Sequence, residues 1–144
     1  MKRQSGFSPL LGIIATSILG VTTLVAIDSY ADYTQRAVIS TGLQLADDLK
    51  KEVSVYLAST GRFPRSNTDV EMPDGEKLAD GGISSLAIGT DPLDGTITVS
   101  FRGNGALADG DRLNLVPSVV GNRVRWYCKS DTIITDLLPE GCRS

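Results

Sequence analysis

Histidine is missing from all 144 residues of this chain. Its absence removes the commonest general base near neutral pH and a common metal ligand together, so the sequence points away from an enzyme and names no catalytic residue, metal or cofactor. An excess of positive charge is missing too. Lys and Arg number 14 against 17 Asp and Glu, a formal net charge of −3, which provides no general electrostatic basis for holding nucleic acid. A local excess exists from residue 112 onward, where Arg112, Arg123, Arg125, Lys129 and Arg143 outnumber Asp131, Asp136 and Glu140. That pattern reads as a solvated strand face, with DNA the less favoured partner. At this length there is room for one core rather than two.

Charge is also missing between Arg3 and Asp28, and this gap is the strongest feature of the chain. Phe7 to Ile27 is a run of 21 residues, mostly Leu, Ile, Val, Ala and Gly, and a helix needs about 20 such residues to cross a bilayer core. A secretory signal has a shorter apolar region, roughly 7 to 15 residues, and ends at a small-residue cleavage site. Here the run passes straight into Asp28-Ser29-Tyr30-Ala31-Asp32-Tyr33. The flanking Lys2 and Arg3 mark the cytoplasmic side, so the expectation is a retained anchor with the rest of the chain outside.

The leader Met1-Lys2-Arg3-Gln4-Ser5-Gly6, the pair Phe7-Ser8, the apolar run and the segment Tyr30-Ala31-Asp32-Tyr33-Thr34-Gln35-Arg36-Ala37 follow one another without a gap. Together they resemble the N-terminus of a type IVa prepilin. The resemblance implies that a prepilin peptidase cuts between Gly6 and Phe7 and that the new Phe7 amine is methylated. It implies subunit assembly through Phe7, Leu11, Gly20, Tyr30 and Tyr33. The implied partners are other pilin subunits, the prepilin peptidase and an inner-membrane assembly platform. The implied location is the bacterial inner membrane with the head in the periplasm, then the extracellular pilus. The implied function is a structural subunit of a surface filament used in adhesion, twitching motility or DNA uptake. A DNA-binding competence pilin and a type II secretion pseudopilin are alternatives.

Two positions depart from the family pattern: Leu11 stands where a Glu is usual, and Asp28 where a Pro is usual. A carboxylate at membrane depth costs on the order of 2.5 to 3.5 kcal/mol, and in this family it pairs with a neighbouring subunit's amine. Leu11 cannot make that pair, which points to a minor or tip subunit, with a major pilin of altered seam as the alternative. Pro9 is tolerable because the first helical amides lack intrahelical partners.

Beyond the apolar run, Leu45, Leu49, Val53 and Leu57 recur every four residues while Asp47, Asp48, Lys50, Lys51 and Glu52 fill other faces, predicting an amphipathic helix. Asp47 and Lys51 are spaced to pair. Gly61 is placed as a cap and Pro64 as a stop, so one helix is predicted from about Ser8 to Thr60. Gly20 and Gly42 read as close packing or bends. Arg65 to Gly82 reads as a connecting loop, and Ile83 to Ile88 as a short strand or turn. Thr96 to Phe101, Leu113 to Val120 and Val124 to Lys129 read as strands joined at Gly103-Asn104-Gly105 and Gly121-Asn122, with Pro117 weakening or interrupting the second. Asp91, Asp94, Asp109 and Asp111 read as turn-making acids. Acidic loops can bind calcium, but the spacing of these acids matches no EF-hand loop.

Only two cysteines are present, enclosing 13 residues, and outside the cytoplasm they are expected to be oxidised. Trp126-Tyr127-Cys128 followed by Leu137-Leu138-Pro139-Glu140-Gly141-Cys142 resembles the disulfide-bounded loop of type IVa pilins. The expected fold is therefore α+β: a long N-terminal helix, half membrane-spanning and half amphipathic, packed against a small antiparallel sheet with a C-terminal disulfide-bounded loop. Residues 1–6 are the expected leader, 7–33 the transmembrane and polymerisation helix, and 34–144 the head.

Overall fold

Pro9–Thr60 forms one α-helix of 52 residues, α1. The structure is a computed structural model describing residues 9–143, with side chains described from residue 30 on. The helix begins at the proline the sequence tolerates there, because a missing N–H is harmless in the first turn. It ends where Gly61 turns left-handed (φ 75°) and donates its N–H to the Leu57 carbonyl at 2.8 Å, a glycine C-cap. Pro64 follows three residues later and lies buried. The chain divides into two units, Met1–Tyr33 and Thr34–Ser144, with the boundary inside α1.

Within the second unit α1 buries Gln35, Ile39, Gly42, Ala46, Leu49 and Val53. These positions alternate in steps of four and three. The row predicted from the sequence, Leu45-Leu49-Val53-Leu57, is only half correct, since Leu45 and Leu57 are merely half-buried. Four residues turn a helix by more than one full revolution, so a strict four-residue row winds off the buried face, whereas alternating threes and fours stays on it. Asp47 pairs not with Lys51 but with Lys50 at 2.8 Å, and Lys51 pairs with Asp48 at 3.0 Å. That hydrogen bond and the Asp48 charge hold the Lys51 ammonium above its usual pKa.

Four strands follow: β1 (Ile83–Gly89), β2 (Thr96–Phe101), β3 (Arg112–Val120) and β4 (Arg123–Lys129). They form one antiparallel sheet in the order β1-β2-β3-β4. Alternation places Leu86, Ile88, Ile97, Val99, Phe101, Leu113 and Leu115 on one face, where they join Ile39, Ala46, Leu49 and Val53 in the core. Helix and sheet approach closely at Gly42, where an added Cβ would lie 2.9 Å from Val99 Cγ1 and 3.2 Å from Phe101 Cε1. Close packing, not a bend, explains this glycine. Gly20 lies in α1, but its surroundings are outside the described residues.

Pro117 does not interrupt β3. It pairs with Trp126 inside a hairpin closed by Val120 and Arg123. Counting back from that closing pair, Pro117 falls at a position where the backbone N–H of an ordinary residue would point away from β4. The β2 pairing has already ended at Leu115, so the missing donor has no ladder partner to lose. The two-residue turn carries positive φ at Gly121 (64°) and not at Asn122, the sign pattern of a type II′ connection. The β2–β3 connection is longer than a Gly-Asn-Gly turn, and within it Asn104 and Leu107 form an isolated bridge. Gln35 Oε1 accepts the Ala106 N–H at 3.1 Å, fixing that loop to α1.

The segment expected to be a plain loop is more ordered than its composition suggests. Asn67–Val70 and Gly75–Leu78 are short 3-10 helices, and they run beside β1. Asn67 is buried.

Candidate functional site

The C-terminal loop is closed by a disulfide between Cys128 and Cys142, whose Cα atoms are 4.6 Å apart. Cys128 sits on β4 opposite Leu115, on the core face of the sheet. Between the cysteines, Ile133, Leu137 and Leu138 are buried, so the loop adds to the core. Its first turn is stitched to the start of β3. Ser130 Oγ donates to the Arg112 carbonyl at 2.6 Å and Thr132 Oγ1 accepts the Arg112 N–H at 2.9 Å. At the far end Arg143 Nε donates to the Leu138 carbonyl at 2.7 Å.

On α1, Tyr30 and Tyr33 are each 73% exposed. The expected cleavage junction, Gly6 and Phe7, lies outside the described residues. Leu11 lies in α1 with its side chain outside them. Among the residues with described side chains, from residue 30 on, no helix is long and apolar enough to cross a membrane, and the run from Phe7 to Ile27 expected to do so lies outside them.

The acids of the Gly-containing turns do local work. Asp111 is buried and its Oδ2 accepts the Ala108 N–H at 2.8 Å, while Asp109 Oδ1 faces the Gly103 N–H at 3.4 Å. Asp94 lies 3.6 Å from the Arg65 guanidinium. Among the described residues no group of three or more Asp, Glu, Cys or His side chains is placed to hold a metal ion. A shallow polar hollow of about 290 Å³ lies at the sheet's outer face near Arg112, Asn114, Asp91 and Asp131.

The basic residues of β4 fall on one face. Arg123, Arg125 and Tyr127 alternate with Val124, Trp126 and Cys128, and the first three are exposed. Val119 and Val120 at the same hairpin are exposed as well. The charges are plain in the sequence, whereas the exposure of Tyr127 follows from its place in the alternation of β4.

Residues 35–143 match the model of the pilin family, described as a bacterial filament protein. The chain belongs to the pilin family. This pilin is 25% identical, over 92% of its length and 83% of the relative's, to a type IV major pilin protein of Neisseria gonorrhoeae. It is 27% identical to a fimbrial protein of Neisseria meningitidis, over 92% of the pilin and 80% of the relative. It is 25% identical to the fimbrial protein EcpC of Eikenella corrodens, over 98% and 92% of the two chains. The resemblance drawn from both ends of the sequence therefore holds, as does the expected α+β fold with its disulfide. The pilin family is structural rather than enzymatic, and its members assemble with other pilin subunits into filaments.

Proposed function

We propose that this pilin is a structural subunit of a type IVa-like surface filament and forms the body of that filament. The observation that carries this reading is likeness along nine tenths of the chain to proteins named major pilins. The Gly6-Phe7 junction supports maturation by a prepilin peptidase, with methylation of the Phe7 amine. The uncharged run from Phe7 to Ile27 supports a stage in the bacterial inner membrane, head in the periplasm, before an assembly platform adds the subunit to the extracellular pilus. Phe7, Leu11, Gly20, Tyr30 and Tyr33 lie on the segment that packs against neighbouring subunits in this reading. Replacing Gly6 by a bulkier residue then leaves the leader attached and the protein outside filaments.

A second reading, in which the chain is a minor or tip subunit, is favoured by Leu11. A subunit added beneath another ordinarily offers a membrane carboxylate to the earlier subunit's amine, and a tip subunit has nothing above it to pair with. Quantitative proteomics of sheared filaments separates the two. This chain as the dominant component supports the first reading, and an abundance far below that of another pilin supports the second.

A further inference from the structure

The outer face of the sheet is electrically polarised from one edge to the other. On β3 and β4, Arg112, Arg123, Arg125, Tyr127 and Lys129 share that face by register, and residues 112–130 contain four basic side chains and no acid. Arg112 is partly offset by Asp91 and Asp131 across the hollow. Arg123 and Arg125 are exposed and stand in no ion pair among the described residues. Beyond the opposite edge, the segment beside β1 carries Asp69, Glu71, Asp74, Glu76 and Asp80, all exposed, against one base, Lys77. Lys77 lies 3.4 Å from Asp74. The face between them, Ser85, Ala87, Thr98 and Ser100, is neutral.

We infer that the Arg123–Arg125 face of one head docks against the acidic Asp69–Asp80 segment of a second copy of this chain. Two different patches of one molecule that complement each other make a head-to-tail contact, and such contacts build open helical assemblies when the rotation does not close. Exposed Tyr127 and Val120 on the basic face supply the apolar contact that charge steering alone lacks. A nucleic acid fits this surface less well, because the chain as a whole is negative at −3 and repels a polyanion at longer range. The inference rests on the filament reading and deepens it, since it names what holds neighbouring heads together and requires copies of this chain side by side.

The test is a charge exchange in the full-length chain, produced in a filament-assembling host lacking its own copy. R123E/R125E and E76K/D80K are each expected to lower filament yield about tenfold, the scale set by like charges brought together at an interface. Combining all four substitutions is expected to restore it. Protease resistance of the membrane-held chain checks that each variant folds. Wild-type filaments supply a measurement needing no variant. They are expected to loosen as salt rises from about 0.1 M to about 1 M, where the screening length falls from about 10 Å to about 3 Å. Wild-type yield from all variants, no rescue by the combination, or salt-indifferent filaments would each overturn the inference while leaving the filament reading standing. Loss of double-stranded DNA retention by R123E/R125E filaments of normal yield would overturn it in favour of a polyanion. A wild-type chain that enters no filament would sink both.

Discussion

Asn67 closes the free edge of β1 by binding Ile88. Its Oδ1 accepts the Ile88 N–H at 2.6 Å, and its Nδ2 donates to the Leu86 carbonyl at 3.1 Å and the Pro73 carbonyl at 2.8 Å. One side-chain amide thus does what a neighbouring strand would do at that point, satisfying a donor and an acceptor that an edge otherwise leaves open. Replacing Asn67 with Ala strands the buried Ile88 N–H, so a loss of about 1–3 kcal/mol is expected. Urea unfolding of the detergent-solubilised chain, followed through its single Trp126, measures it. Unchanged stability would mean that water replaces the amide at no cost.

Gly42 sets the distance between α1 and the sheet. Gly42→Leu forces a branched side chain into space already held by Val99 and Phe101, and overpacking of this kind costs about 1–3 kcal/mol. Gly42→Ala is milder, because the gain of about 1 kcal/mol in helix propensity opposes the clash. The ordering Gly, Ala, Leu in unfolding midpoint is the readout. A Leu variant as stable as the wild type would show that helix and sheet separate freely.

The Cys128–Cys142 bridge closes a loop that carries three core residues. Cys142→Ser is expected to destabilise the head by about 3 kcal/mol through the freed unfolded chain, and to lower subunit levels in cells. Thiol labelling of protein from intact cells checks the pairing. Free thiols at both positions would contradict it.

The parts legible in the sequence are those whose cause is local. Gly61 with Pro64 announced the end of α1, and β2 through β4 were bounded to within a residue because their alternation is intrinsic. Ile83–Gly89 could be read only as strand or turn until β2 paired with it. The face of α1 was misjudged because leucines draw the eye, while the seam passes through Gln35, Gly42 and Ala46, whose small or polar side chains give no apolar signal. Pro117 looked disruptive because its tolerance depends on register, and register is a property of two strands. Asn67 gave no sign of its role on the strand edge, since its partners there are backbone atoms 19 and 21 residues away in sequence. The Gly6-Phe7 junction is a motif of the sequence alone and lies outside the described residues. The opposition of charge across the sheet became visible only when strand order put its two halves at opposite edges.

Intact-mass and peptide mass spectrometry of protein recovered from sheared surface filaments tests the central claim most directly. The account expects this chain in the filament fraction, beginning at an N-methylated Phe7, with Cys128 and Cys142 joined. A chain absent from filaments, or one that keeps Met1 to Gly6, would contradict it.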